Sequence, residues 1–138
     1  MKRILVAVDG SQSSYDALRL AVKDVAECGN ATLEVLIVSL PVLQAQHLDS
    51  EGESVGLELP NVKKEIRETF GQYGLKAKIR DIYGLDPGEL ICLVASQEGF
   101  DELVIGKQGR SAERVGGSYL GSVAYRILHL SPCPVIVV

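Results

Sequence analysis

The run Arg3-Ile-Leu-Val-Ala-Val8, broken by Asp9-Gly10-Ser11, decides how the rest of the chain is read. An aliphatic and β-branched run with no polar alternation suits a strand covered on both faces, as in a parallel sheet. It stops at Asp9-Gly10. Ser11, Ser13 or Ser14 can cap the helix that follows, whose apolar positions Ala17, Leu18, Ala21, Val22 and Val25 keep the helical period until Gly29 ends it. This is one βα unit.

Outward from it the same unit recurs. Leu33-Glu-Val-Leu-Ile-Val38 is a second buried strand, closed by Ser39-Leu-Pro41. The segment from Val42 to Leu59, with its acidic Gly/Ser-rich run Asp49-Ser-Glu-Gly-Glu-Ser54, reads as a mobile, solvated loop. Val62, Ile66, Phe70 and Tyr73 mark one face of a helix with Gly74 after its end. Lys76 to Ile82 alternates charged with apolar residues, the pattern of an exposed edge strand. Asp86-Pro-Gly-Glu89 opens the third helix, with Asp86 as N-cap, Pro87 at the first helical position and Glu89 completing a capping box. Leu90, Ile91, Val94 and Ala95 supply its buried face, and Gly99 ends it. Leu103-Val-Ile-Gly106 is a short buried strand. Leu120, Val123, Ala124, Ile127 and Leu128 give the last helix its core stripe, and Pro134-Val-Ile-Val-Val138 is the last strand.

The alternation βαβαβαβαβ predicts one α/β domain over residues 1–138, a doubly wound five-stranded parallel sheet with helices on both faces. With the charged third strand at one edge, the strand order is 3-2-1-4-5. Ligands of such sheets bind beyond the carboxyl ends of the strands where the order reverses, here between the first and fourth strands. Those ends are Asp9 and Gly106.

Two glycine turns then face one ligand. Gly106 and Gly109 let the backbone turn and approach closely. Gly121 and Ser122 put N–H groups and a hydroxyl at the positive end of the last helix, where an anion such as phosphate is favoured. Asp9 suits a ribose diol, because an ionised carboxylate accepts hydrogen bonds from hydroxyls. It also suits a turn residue capping the next helix, and the two roles coexist. Lys107, Arg110 and Arg114 can neutralise phosphate or stand as solvated loop cations. His129 fits the macrodipole at the end of the last helix, and His47 has no evident partner. No Ser-His-Asp order, paired-carboxylate spacing, metal-ligand cluster, Walker motif or dinucleotide Gly-x-Gly-x-x-Gly stands out.

Size and charge narrow the classes further. A chain of 138 residues with 46% hydrophobic and 23% charged residues can bury a real core. A net charge of −4 gives no basic footprint, so nucleic acid is not expected as a partner. Ile4 to Val8 is too short for a membrane span or a secretory segment, so the expectation is a cytoplasmic protein with no membrane partner. Cys28, Cys92 and Cys133 lack metal spacing and are expected as free buried thiols.

Together, Ile4-Leu-Val-Ala-Val-Asp-Gly-Ser11, Asp86-Pro87, Val104-Ile-Gly-Lys-Gln-Gly-Arg-Ser111, Leu120-Gly-Ser-Val123 and Ser131-Pro-Cys-Pro-Val-Ile-Val-Val138 resemble the universal stress protein family over essentially the full length. The resemblance implies a 3-2-1-4-5 sheet, a homodimer and, in one branch of the family, ATP binding through Gly-x2-Gly-x9-Gly-Ser/Thr. Carried over, it implies Ala7, Val8 and Asp9 near the adenosine and Val38 at the base. Gly106 and Gly109, with the backbone of Lys107 and Gln108, would meet ribose and phosphates, and Gly121, Ser122 and Val123 the phosphate tail. Mg or Mn would accompany the nucleotide through its phosphates, with no protein side chain as metal ligand. The chain departs from that pattern in one respect: eleven residues, Arg110 to Leu120, separate Gly109 from Gly121 where the pattern has nine. This longer loop either bulges out and leaves the second turn in place or reshapes the phosphate site.

The leading expectation is a nucleotide-binding stress or signalling module that holds ATP as an effector and hydrolyses it slowly or not at all. A homodimeric interaction protein that binds no nucleotide is the second. An adenylyl transferase or ATPase is the third, and it would need a positioned base or cation cluster. The dimer has its own argument: Val135 to Val138 is an aliphatic outer strand, which normally recruits a partner or aggregates.

Overall fold

Successive side chains of strand β1 (Lys2–Val8) serve two different apolar layers, which is why the run carries no polar period. Ile4, Val6 and Val8 pack with Ala17, Leu18, Ala21 and Val22 of helix α1 (Gln12–Cys28) and with Ile66 and Phe70 of α2 (Val62–Gly71). Leu5 turns the other way, into a cluster with Ile91, Cys92 and Ala95 of α3 (Pro87–Glu98) and with Ala124 and Ile127 of α5 (Ser122–Leu130). The same division splits Val35 and Ile37 from Leu36 in β2 (Ala31–Ser39), and Val104 from Leu103 and Ile105 in β4 (Glu102–Ile105). The computed structural model describes residues 1–39, 61–117 and 119–138, apart from the side chains of Ser111, Arg114 and Val115. The loop expected from Val42 to Leu59 lies outside the described residues, as do Leu40, Pro41 and His47.

Strands β3 (Ile79–Tyr83) and β5 (Val135–Val137) complete a five-stranded, all-parallel sheet of order β3-β2-β1-β4-β5, as the alternating pattern required. The charged third strand is an edge. At the switch point β1 and β4 pair directly, Leu5 opposite Leu103 and Val6 opposite Val104.

Local signals set the boundaries of the helices. Ser11 caps α1 by accepting from the Ser14 amide at 3.2 Å, and Gly29 closes it with φ of 65°. Asp86 caps α3 by accepting from the Glu89 amide at 3.1 Å. Four expectations change. Tyr73 falls beyond the end of α2 and is exposed, because that helix stops at Gly71. Leu120 lies before the first residue of α5 and is exposed, Leu128 is exposed on that helix, and the buried stripe narrows to Ala124 and Ile127 with Val123 half-buried. Cys28 sits on the outer side of the last turn of α1 and is exposed, whereas Cys92 is buried and Cys133 half-buried. Finally, a short helix α4 (Arg110–Val115) forms inside the long loop between the glycine turns.

Candidate nucleotide site at the switch point

Asp9 follows β1 directly and turns its carboxylate back into the chain, Oδ1 accepting from the Ser11 amide at 2.9 Å. Its own amide donates to Ser14 Oγ at 3.3 Å. The turn role expected of it is therefore real, and it leaves Oδ2 directed elsewhere. A Cβ on Gly109 would stand 3.1 Å from that Oδ2, so the carboxylate and the second glycine of the β4 turn are neighbours.

The two glycine turns also meet. The Gly121 amide donates to the Lys107 carbonyl at 2.7 Å. A Cβ on Gly121 would lie 3.1 Å from Gln108 Cα and 3.2 Å from the Lys107 carbonyl oxygen, a backbone-on-backbone approach that only glycine permits without displacement. Gly106 has a different neighbour. Its missing Cβ is replaced by the start of α1, with Ser13 C, Ser13 Oγ and Ser14 N each 2.6 Å from where that carbon would be.

Across the longer loop the Gly121 amide stays bonded to the Lys107 carbonyl, and the middle of the loop lies over α1. Helix α4 docks on the N-terminus of α1, where Glu113 accepts from the Gln12 amide through Oε2 and from the Ser13 amide through Oε1, both at 2.9 Å. The Arg110 side chain lies against Gly10, its Cδ 3.6 Å from the position of a Gly10 Cβ. Gln108 is buried, and its Nε2 donates to the carbonyls of Gly117 at 3.1 Å and Tyr119 at 2.7 Å.

The side chains expected at the site divide between the two faces of the sheet. Ala7, Val38 and Val123 all pack against the α3/α5 cluster, together with Ile82, and offer an apolar wall on that side. Val8 is fully buried in the α1/α2 core, so only its backbone can face the switch point. The Lys107 amide donates to the Val138 carbonyl at 2.9 Å and the Gln108 amide to Ser13 Oγ at 3.2 Å, so neither is spare for a phosphate. Lys107 itself is exposed. No side chain caps α5, and the N–H groups of its first turn have no acceptor within the helix. Ser122 is exposed there beside them.

On the same α3/α5 face lies a cavity of about 260 Å³, at the small end for small-molecule sites, between Leu85 to Gly88 on one side and Ser122, Val123 and Arg126 on the other. Arg126 is a cation of this cavity that sequence reading passed over, although it stands one helical turn after Ser122 on the same face. It is held by Asp86, whose Oδ2 accepts from Nη2 at 3.0 Å and from Nε at 3.1 Å. The Glu89 amide and, after it, Arg126 keep the Asp86 carboxyl below the usual carboxylate range. Gly88 allows this pairing, since a Cβ there would lie 2.8 Å from Arg126 Cβ. His129 ends α5 as expected and tilts its ring against Tyr125 with centroids 4.5 Å apart. Among the described residues no three His, Cys, Asp or Glu side chains gather as a metal site, and no helix is long and apolar enough to cross a membrane.

Comparison with known proteins gives a consistent picture. Residues 1–138 match the model of the universal stress protein family. The universal stress protein YxiE of Bacillus subtilis is 30% identical over 151 residues, covering 99% of this chain and 97% of that protein. Among solved structures, universal stress protein UspA from Lactobacillus plantarum superposes with a TM-score of 0.75 at 26% identity, covering 99% of this chain and 97% of that one. A universal stress protein solved in complex with cAMP shares the fold at a TM-score of 0.67 and 23% identity, over 99% of this chain and 95% of that one.

Proposed function

The chain belongs to the universal stress protein family, and from that membership we propose that it binds an adenine nucleotide as an effector in a cytoplasmic stress or signalling role. One observation carries the proposal: at the point where strand order reverses, Gly121 rests on the backbone of Lys107 to Gly109 while the Asp9 carboxylate stands beside Gly109. The cAMP bound to a structure of the same fold supports the ligand class. In this reading the base lies against Ala7 and Val38, Asp9 accepts from the ribose hydroxyls, and Gly106 to Gly109 follow the sugar and first phosphate. Ser122 and the first-turn amides of α5 hold the anionic tail, with Val123 beneath it and Arg126 within reach through the adjoining cavity.

ATP is the expected ligand, with Mg or Mn bound through its phosphates. In this reading the nucleotide acts as a bound signal, and its hydrolysis is slow or absent. Isothermal titration with AMP, cAMP, ADP and ATP, with and without magnesium, tests the reading, and absence of binding at millimolar nucleotide rejects it.

A homodimer through Val135–Val138 belongs to the same proposal. β5 is a sheet edge, and Tyr125 and Leu128 of α5 are exposed. Should titration fail while the dimer persists, the interaction-protein reading takes over, with that face as its working surface.

A further inference from the structure

We propose that the side chains of Gln108 and Glu113 are positioning groups of the nucleotide site, fixing the second glycine turn through the intervening loop while only the Gln108 backbone borders the ligand; this rests on the nucleotide-binding reading above. Eleven residues between Gly109 and Gly121 give the chain ample freedom to move the start of α5 away from the β4 turn. Three sets of polar contacts remove that freedom. Ser13 Oγ grips the Gln108 backbone from below, donating to its carbonyl at 2.7 Å and accepting from its amide at 3.2 Å. The Gln108 side chain then reaches forward and ties down the far end of the loop at the Gly117 and Tyr119 carbonyls. Both partners are acceptors, so the amide must present its NH₂ group, which fixes its orientation. Glu113 anchors the middle of the loop on α1, a carboxylate on two helix N-terminal amides, where charge and macrodipole reinforce each other.

The return path after α4 also depends on backbone freedom, since Gly116 and Gly117 have φ of 82° and 98°. Beyond Tyr119 only Leu120 separates the tied carbonyl from Gly121, whose amide closes on Lys107. The position of the second turn is thus decided by side chains that bond to the loop and to α1 and do not line the cavity. The Gln108 side chain is buried although the loop it ties down is largely exposed, and members of such a network support one another, so losing one anchor loosens the whole strap.

The test uses Gln108→Glu, which keeps the shape but replaces the NH₂ donor with a carboxylate facing two carbonyls, and Glu113→Gln, which keeps one acceptor of two. Amide hydrogen exchange at Gly121 is read beside titration with AMP and ATP. Gln108→Glu is expected to accelerate Gly121 exchange roughly tenfold and weaken nucleotide binding by a similar factor, with Glu113→Gln giving a smaller change in the same direction. Exchange of the buried amides of Leu5 and Val6 should not change, which separates a local positioning role from general loss of stability. Unaltered Gly121 exchange in both variants overturns the proposal, as does accelerated exchange with undiminished affinity. If the unsubstituted protein binds no adenine nucleotide, the functional reading falls, while exchange at Gly121 still decides whether the strap holds the turn. Should Gln108→Glu not fold, Glu113→Gln, on a short surface helix, carries the same two readouts.

Discussion

Asp9 Oδ2 lies 3.1 Å from the point where a Gly109 side chain would begin, so the end of β1 and the turn after β4 share one small volume. Gly109 has φ of −83°, an ordinary value for any residue, so a methyl group there strains no backbone and meets only the carboxylate. Gly109→Ala should therefore leave the melting temperature nearly unchanged and weaken adenine nucleotide binding about tenfold by shifting Asp9. Asp9→Asn keeps the acceptor for the Ser11 amide but loses the charge facing a diol, and should weaken binding similarly. Titration calorimetry beside thermal melting checks both, and wild-type affinity in the two variants would remove Asp9 from the site.

Gly106→Ala should do the opposite. Its new methyl group meets Ser13 and Ser14 backbone atoms at 2.6 Å, which cannot rotate away, so α1 must shift off the sheet. A loss of about 1–3 kcal/mol in urea denaturation is expected, the range for overpacked cores. A midpoint equal to that of Gly109→Ala would show that the close approach of α1 is not needed.

The Asp86 carboxyl titrates below its unfolded range because the Glu89 amide, and then Arg126, favour its charged form. A carboxyl depressed in the folded state stabilises the protein fully above the unfolded value and loses that contribution as pH falls through the folded one. Glu98, paired with Arg80, follows the same sign. Stability should thus decline on the acid side of the ordinary carboxylate range, and Asp86→Asn should flatten part of the slope. Denaturation midpoints measured across acid pH decide it; parallel curves for the two proteins would contradict the assignment.

Thiol reactivity should follow burial. Burial, and behind it Cys133 and Asp86, pushes the Cys92 thiol up to about 11, so little thiolate exists near neutrality. Cys28 is exposed and should react with a disulfide reagent within the mixing phase, Cys133 more slowly, and Cys92 only on unfolding. Mass-resolved labelling of native protein checks the order, and early modification of Cys92 would refute it.

Among the described residues strand β5 is bonded on one side only, where the Val138 amide donates to Ile105 and its carbonyl accepts from Lys107, each at 2.9 Å. Val137→Lys places a charge on a residue 37% exposed at that edge. It should yield a folded monomer by sedimentation, whereas deletion of Val135 to Val138 should give monomer or insoluble protein. A soluble dimer that survives both changes would move the interface elsewhere.

How much of this was legible varied with the range of the interaction. The two-sided strands showed as unbroken apolar runs at Arg3–Val8 and Leu33–Val38, and the edge showed as charge alternation at Lys76–Ile82. The cap at Asp86 was also readable, since a cap is a contact of three residues, whereas the cap of α1 was narrowed only to Ser11, Ser13 or Ser14 before the structure selected Ser11. Helix α4 was not, because six residues from Arg110 to Val115 are too few to display a period. Nor was the Glu113 contact with Gln12 and Ser13, made across about a hundred positions by a residue that resembles any surface acid.

By itself the sequence determined the alternation of five strands with their crossover helices, apart from the short α4, and the 3-2-1-4-5 sheet, because hydrophobic period and crossover handedness are local rules with global consequences. Tertiary structure alone decided that the long loop turns onto α1, that Gly106 makes room for a helix, that the Val8 side chain joins the α1/α2 core, and that Arg126 and Asp86 line the neighbouring cavity. Those outcomes depend on which backbones approach within van der Waals distance and which distant acceptors meet unpaired amides. Neither quantity is encoded in spacing along the chain.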